Sequence, residues 1–300
     1  MQTRRSYRPR QILCPMDMSD LSDLALKYAH IGARLFDATL TVLHAMHVDI
    51  PRYLSKEVTA RILAELNDAK AAGRHDLENY VRHVLGDAEY NSIRVRCQVA
   101  DVAPVEAVTR ALAESRVDLV VMGTHGYSGV KHWMLGSVTE SVLHRAAVPV
   151  FTVRQKVNDF IDTTRPEVTP RIGRILCPCN ATTAAGHALQ VAASLADRFE
   201  ARLTVLWSRE PGAEANGEDL AAWIRATLIE PPEIDVIERS GKAADQAIEL
   251  ADELECDLIV IGARRQPLGQ GTAMGRTTEL VLRHAGVPVL AVPCRDETPE

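Results

Sequence analysis

The sequence predicts an α/β protein made of two tandem, doubly wound parallel-sheet domains of five strands each. Three observations predict it. The chain has 300 residues, about twice the usual domain size. It also matches itself: Ile12-Leu13-Cys14-Pro15 returns as Ile175-Leu176-Cys177-Pro178, and Thr41-Val42-Leu43 returns as Thr204-Val205-Leu206 at the same offset. Asp118-Leu119-Val120-Val121 likewise returns as Asp257-Leu258-Ile259-Val260, and Val148-Pro149-Val150 as Val287-Pro288-Val289, at a shorter offset. A domain-sized period means duplication rather than a solenoid, and the shortened offset means that residues are missing from the middle of the second copy. Finally, short β-branched runs alternate with longer helical patterns in each copy, which is how crossover-connected parallel strands read.

The elements follow in order. In the first copy the strands are expected at Gln11–Pro15, Thr39–Ala45, Ile93–Val99, Asp118–Met122 and Val148–Val153. Ser19 or Asp20 caps the first helix, whose Leu24, Leu26, Ala29, Ile31, Ala33 and Phe36 form a broad apolar face. A long helix is expected over Ser55–Leu85, with Val58, Ile62, Leu66, Ala69, Leu77, Val81 and Val84 near helical spacing. In the second copy it shrinks to about Glu218–Leu228, which accounts for most of the missing length. Residues 155–171, with Pro166 and Pro170, read as the linker between a first domain over 1–154 and a second over 172–294.

Bulk properties exclude several classes. Apolar residues make up 46% and charged residues 25%, so the chain is an ordinary globular one rather than disordered. A net charge of −6 argues against nucleic acid or an anionic membrane as a partner. Arg4, Arg5, Arg8 and Arg10 read as a solvated arm. There is no apolar stretch of bilayer length, and no apolar region follows the basic start. The six cysteines follow no metal-ligand pattern, and Cys177-Pro-Cys179 is one residue short of the redox motif. Structural thiols in a reducing cytoplasm are the expectation.

In doubly wound sheets ligands bind beyond the carboxyl ends of the strands, so the residues following strands one, two and four matter most. After strand four stands Met122-Gly123-Thr124-His125-Gly126, and nine residues later Gly136-Ser137-Val138-Thr139-Glu140. Glycines allow close backbone approach, and a helix opening at Ser137 would present unpaired N–H donors and a positive dipole end to a phosphate chain. Ser137 with Glu140 also fits a capping box, which would leave the serine a local duty only. Asp17, at the end of strand one, could accept hydrogen bonds from ribose hydroxyls or an adenine amine, or merely complement a helix dipole.

These residues resemble the universal stress protein family in its ATP-binding form, over Ile12–Val153. The family's G-x2-G-x9-G-[S/T] stands as Gly123, Gly126, Gly136 and Ser137, and its Pro-x-Asp as Pro15-Met16-Asp17. Leu43-His44-Ala45 resembles its strand-two end, where Ala45 would lie against adenine; Met122, His125, Val138 and Thr139 match further contact positions. A family glycine is replaced by Val102. The resemblance implies an adenine-nucleotide alpha-hydrolase-like sheet of strand order 3-2-1-4-5 and ATP as ligand, admitting Mg2+ beside it. It also implies a stress sensor or regulatory module. His44 reads as packing at its strand end, and Lys131 and His132 as a solvated face.

The second copy resembles the same family over Ile172–Val292 but departs at the site. Asp17 becomes Asn180, Gly126 becomes Arg265 and Ser137 becomes Arg276, while Gly262, Gly275 and Gly241 stand at family glycines. Two readings stay open: an empty scaffold, or a site where Arg264, Arg265 and Arg276 hold another anion. Without a catalytic triad, a Walker lysine or a carboxylate pair beside the glycine loop, a binding protein with at most weak ATP hydrolysis is expected. A slow ATPase and a structural protein with a vestigial site are the alternatives. The strand order that the resemblance implies places the apolar last strand of each copy at a sheet edge, a liability that proteins cover. Antiparallel pairing of Val148–Val153 with Val287–Val292 within one chain would cover both, leaving the long helix for a homodimer.

Overall fold

A computed structural model describes residues 6–46, 55–125, 135–154, 172–209, 220–229, 232–264 and 274–294. The linker 155–171 and most of the glycine loop, Gly126 included, lie outside the described residues, as does Arg265. The chain divides into two compact units, Pro9–Gly129 and residues 1–8 with 130–300.

The unit Pro9–Gly129 holds β1 (Gln11–Met16), α1 (Asp20–Phe36), β2 (Thr39–Ala45), α2 (Lys56–Leu85), α3 (Asp87–Asn91), β3 (Arg94–Ala100), α4 (Pro104–Glu114) and β4 (Leu119–Gly123). Its strands are parallel, in the order β3-β2-β1-β4. Parallel strands cannot be joined by a tight hairpin, so each connection crosses over through a helix. The central strands are apolar because helices cover both faces: Ile12, Leu13, Cys14, Leu40, Val42 and Val120 are all buried. The end strand β3 instead exposes Arg94, Arg96 and Gln98, which discourages pairing with another chain.

The other unit holds α5 (Ser137–Arg145), β5 (Val150–Val153), β6 (Arg174–Cys179), α6 (Thr183–Phe199), β7 (Arg202–Arg209), α7 (Leu220–Thr227), β8 (Ile234–Ser240), α8 (Ala243–Glu253), β9 (Leu258–Ala263), α9 (Arg276–His284) and β10 (Val289–Pro293). Its strand order is β5-β10-β9-β6-β7-β8. Counted within the repeat, β6 to β10 lie in the order 3-2-1-4-5, as the resemblance led us to expect. The strand β5 pairs antiparallel with β10, Leu290 opposite Phe151, Val289 opposite Thr152 and Ala291 opposite Val150. The expected edge-to-edge pairing is therefore present, and the Thr152 hydroxyl adds a bond to the Val289 carbonyl at 3.2 Å. Both strands begin one residue after a proline, Pro149 or Pro288, because proline has no donor for a ladder. Residues 6 and 7 also belong to this unit: the Tyr7 amide donates to Ser194 on α6 at 2.7 Å, so this part of the arm is docked rather than solvated.

The strand start expected at Asp118 moves for a definite reason, which the second repeat shares. Asp118 and Asp257 do not open β4 and β9. Their carboxylates accept from the backbone where β1 and β6 begin. Asp118 Oδ2 takes Arg10 N and Gln11 N at 2.8 and 3.0 Å; Asp257 Oδ2 takes Gly173 N and Arg174 N at 2.7 and 2.9 Å. Each aspartate joins a central strand to its neighbour before the ladder starts. Replacing Asp118 or Asp257 by Ala should lower stability by about 1–2 kcal/mol, read as a lower urea midpoint with an unchanged slope, and Asn should recover part of the loss.

Candidate functional site

The rim beyond β1, β2 and β4 follows from the parallel register. Met16 pairs with His44, and Ile12 and Leu13 pair with Leu119 and Val120. Continued along the strands, this register brings Met16, Ala45 and Gly123 to the same edge. Pro15 is half-buried, Met16 and Met122 are buried, and Asp17 is exposed just past the strand. The His44 Nδ1–H donates to the Met16 carbonyl at 2.9 Å, so this histidine ties two strand ends together, as expected of a packing residue. Beyond Gly123, the Thr124 hydroxyl lies 2.9 Å from His125 Nδ1.

After β1 the chain turns sharply. Met18 has φ 62, a left-handed conformation that a non-glycine side chain adopts at a cost. The turn is held by Asp17, whose Oδ1 accepts from Ser19 N at 3.1 Å and from Ser19 Oγ at 2.6 Å. Ser19 in turn caps α1 by accepting from Ser22 N. The carboxylate therefore has a local duty in the turn as well as a place on the rim. The second repeat builds the same turn with an amide: Ala181 has φ 53, and the Thr182 hydroxyl donates to Asn180 Oδ1 at 2.8 Å while capping α6. Exchanging Asp17 for Asn180 thus preserves the fold of the turn while removing a negative charge and turning one acceptor oxygen into an NH2 donor.

A residue that the sequence reading missed stands behind the turn. The Tyr80 hydroxyl of α2 lies 3.1 Å from both oxygens of Asp23 and 3.4 Å from the Met18 carbonyl. Burial pushes the Asp23 carboxyl above the usual carboxylate range, while the Tyr80 hydrogen bond and Lys27 oppose that shift. Burial, with Asp23 close by, also raises the Tyr80 phenol. The spacing of Tyr80 from Leu77 and Gly73 on the helix was the available signal.

The glycines have distinct physical reasons. A Cβ on Gly123 would stand 2.7 Å from Leu21 Cγ, and one on Gly262 would stand 2.6 Å from the Ala184 carbonyl carbon and oxygen. Both glycines admit the first helix of their repeat against the fourth strand. Gly262 is thus required in the second repeat whether or not a ligand binds there. Gly275 has φ +81, which by itself favours glycine. Gly136 differs: at φ −62, ψ 146 its backbone suits any residue. Val102 is likewise absent from the left-handed residues while its counterpart Gly241 has φ +138, so the replacement reshapes that turn.

The helix α5 corrects one expectation. Its N-cap is Gly136, with no side-chain capping bond, and Ser137 is its first helical residue. The capping box with Glu140 does not form, because Ser137 sits one position too late to reach the N3 amide; Glu140 instead lies 3.8 Å from His144. Ser137 is exposed, Val138 half-buried and Thr139 buried. In the second repeat Gly275 and Arg276 take these places, and Arg264 and Arg276 are both exposed. Thr278 donates to the Gly262 carbonyl at 2.8 Å, joining α9 to the end of β9. Cys177 and Cys179, with sulfurs 3.7 Å apart, are buried, and the hydrogen bond between them, together with burial, pushes the Cys177 thiol well up, as expected of structural thiols. Among the described residues no group of three His, Cys, Asp or Glu gathers to hold a metal.

The universal stress protein family model matches residues 9–154 and again 171–293. A universal stress protein of Mycolicibacterium smegmatis is 26% identical over 302 residues, covering 94% of this chain and 96% of the relative. One of Methanocaldococcus jannaschii is 29% identical over 146 residues, 49% of this chain and 82% of the relative. Among solved structures, a universal stress protein from Archaeoglobus fulgidus superposes with a TM-score of 0.68 at 22% identity, covering 97% of this chain and 99% of the other. Packing makes a direct test possible. Gly262→Ala should destabilise more than Gly123→Ala, by about 2–3 against about 1 kcal/mol, because the first meets backbone at 2.6 Å while the second meets a leucine side chain at 2.7 Å and backbone, at His125, only at 3.2 Å. Thermal unfolding of the two variants measures the difference; equal losses would contradict the packing account.

Proposed function

The chain belongs to the universal stress protein family, with two of its domains in tandem, and on that premise we propose that its first repeat binds ATP as part of a stress sensor or regulatory module. The observation that carries this reading is Ser137. It opens α5 with an exposed side chain and no capping duty, behind a glycine whose own conformation does not demand glycine. A motif serine without a capping duty is suited to a ligand that approaches the helix N-terminus closely. In this reading Gly123, Gly126, Gly136 and Ser137 take the phosphates through backbone N–H groups and the serine hydroxyl. Asp17, Ala45 and Met122 take the adenosine end, with Pro15, Met16, His125, Val138 and Thr139 around them.

Mg2+ would enter with the phosphates, since Mg2+ keeps much of its water and takes few protein ligands. The reading is one of nucleotide binding, and no step of turnover is assigned. The second repeat is proposed to bind no ATP: it lacks the carboxylate of Asp17 and the serine of Ser137, and its surviving glycines have packing or backbone reasons. A cytoplasmic setting accords with six buried free thiols; among the described residues no helix is long and apolar enough to cross a membrane.

Calorimetry should find one ATP site per chain. Ser137→Ala should weaken binding about three- to tenfold with the unfolding temperature unchanged, and Gly126→Arg should abolish most binding in a folded protein. Two equivalent sites, or full affinity in folded Gly126→Arg, would sink the assignment. The second repeat is tested by the full chain carrying Gly126→Arg: residual ATP binding lost only on removing Arg264 and Arg276 would place a site there instead.

A further inference from the structure

Helix α2 carries one stripe that reaches the residues just past three strands. Lys70 pairs with Asp101 beyond β3 at 2.5 Å. Gly73 lies against Met46 beyond β2: a Cβ there would stand 3.1 Å from Met46 Sδ and 4.0 Å from both Val99 methyls. Tyr80 reaches the Met18 carbonyl and Asp23 beyond β1. Between them Leu77 is fully buried. Positions 70, 73, 77 and 80 are spaced as one helix face, while Ala71, Ala72, Arg74, His75, Asp76 and Asn79 are exposed.

We infer that this face of α2 sets the shape of the strand rim in the first repeat, with Tyr80 and Gly73 as positioning residues for the adenosine end of its nucleotide site. The inference rests on the ATP reading above and adds residues outside the family motif. Met18 is left-handed, and a strained residue persists only where its surroundings hold it. From the α1 side the cap through Ser19 holds it; from the α2 side Tyr80 does. A glycine in mid-helix costs stability relative to alanine, and Gly73 stands where Met46 leaves no ordinary room for a methyl. Met46 itself is fixed to β3, its amide donating to the Ala100 carbonyl at 2.7 Å. A methyl on Gly73 would therefore press on the side chain of the residue directly after Ala45.

The second repeat shows what the stripe is not for. There Asp23 is replaced by Gly186, whose neighbours are Thr227 and Trp223 of the eight-residue α7. The turn at Ala181 still forms without a tyrosine. The turn therefore folds by its own cap, and what α2 adds is a fixed placement of the residues after β1, β2 and β3 against one rigid helix. The repeat that has this helix is the one that has the complete motif.

The test uses the full chain with Tyr80→Phe and Gly73→Ala. Tyr80→Phe should weaken ATP binding about three- to tenfold and speed amide exchange at Met18 and Ser19. Gly73→Ala should weaken ATP binding while leaving the unfolding temperature unchanged or raised, since alanine is the better helix former. A purely structural role would move affinity and unfolding temperature together, so opposite signs in Gly73→Ala mark positioning. Both variants binding within twofold of the unmodified chain would overturn the inference and leave the ATP reading intact. If the unmodified chain binds no ATP, the ATP reading fails, and exchange at Met18 and Ser19 in Tyr80→Phe decides the placement: unchanged rates overturn it.

Discussion

The rest of the structure depends on the parallel register of one central strand in each repeat. With β1 hydrogen-bonded to β2 and β4, and β6 to β7 and β9, every connection must leave one end of the sheet and return to the other. The carboxyl ends therefore gather on one edge, and the residues that follow them become neighbours although they are far apart in the chain. Asp118 and Asp257 secure that register at the opposite end, where each carboxylate takes two backbone amides of the central strand. A slip of the ladder would break these paired bonds at the start of the central strand.

On this common frame the two repeats separate scaffold from chemistry. Glycines at the ends of β4 and β9 admit the first helix, so both repeats need them. Asp17 and Asn180 hold the same left-handed turn through the hydroxyl of the capping residue, so the fold accepts either, and the difference is one of charge and of acceptor against donor. The distinguishing features lie elsewhere. The first repeat has an uncommitted serine at the start of α5 and a thirty-residue helix α2 beside the rim. In the second repeat α7 has eight residues, and Val236 of β8 is 47% exposed where its counterpart Cys97 is 8% exposed. Shortening one connection therefore changed both the cover of an end strand and the flank of the rim.

Several sequence readings failed in informative ways. A serine followed three residues later by glutamate fits a capping box, yet Ser137 is already helical because Gly136 supplies the cap position. Asp118 and Asp257 look like strand residues in an apolar run, but their side chains serve the neighbouring strand, which no local pattern reveals. Tyr80 and Gly73 read as ordinary members of a long helix. Their significance comes from Met18 and Met46, which are distant in sequence and close only after folding. Val102, where the family has glycine, leaves a turn without the left-handed conformation found at Gly241.

The sequence by itself determined the duplication, the parallel architecture, the crossover helices and the antiparallel meeting of β5 with β10. The first three follow from hydrophobic periodicity and repeated motifs along the chain, and the last from the strand order that the family resemblance implies together with the need to cover apolar strand edges. Only the tertiary structure decided which polar and small residues serve packing and which remain for a ligand. That distinction depends on what stands within 3 or 4 Å of each one across the fold. Leu21 lies opposite Gly123, the Ala184 backbone opposite Gly262, and Met46 opposite Gly73. Such distances arise from helices settling against strands under close packing, and periodicity along the chain carries no record of them.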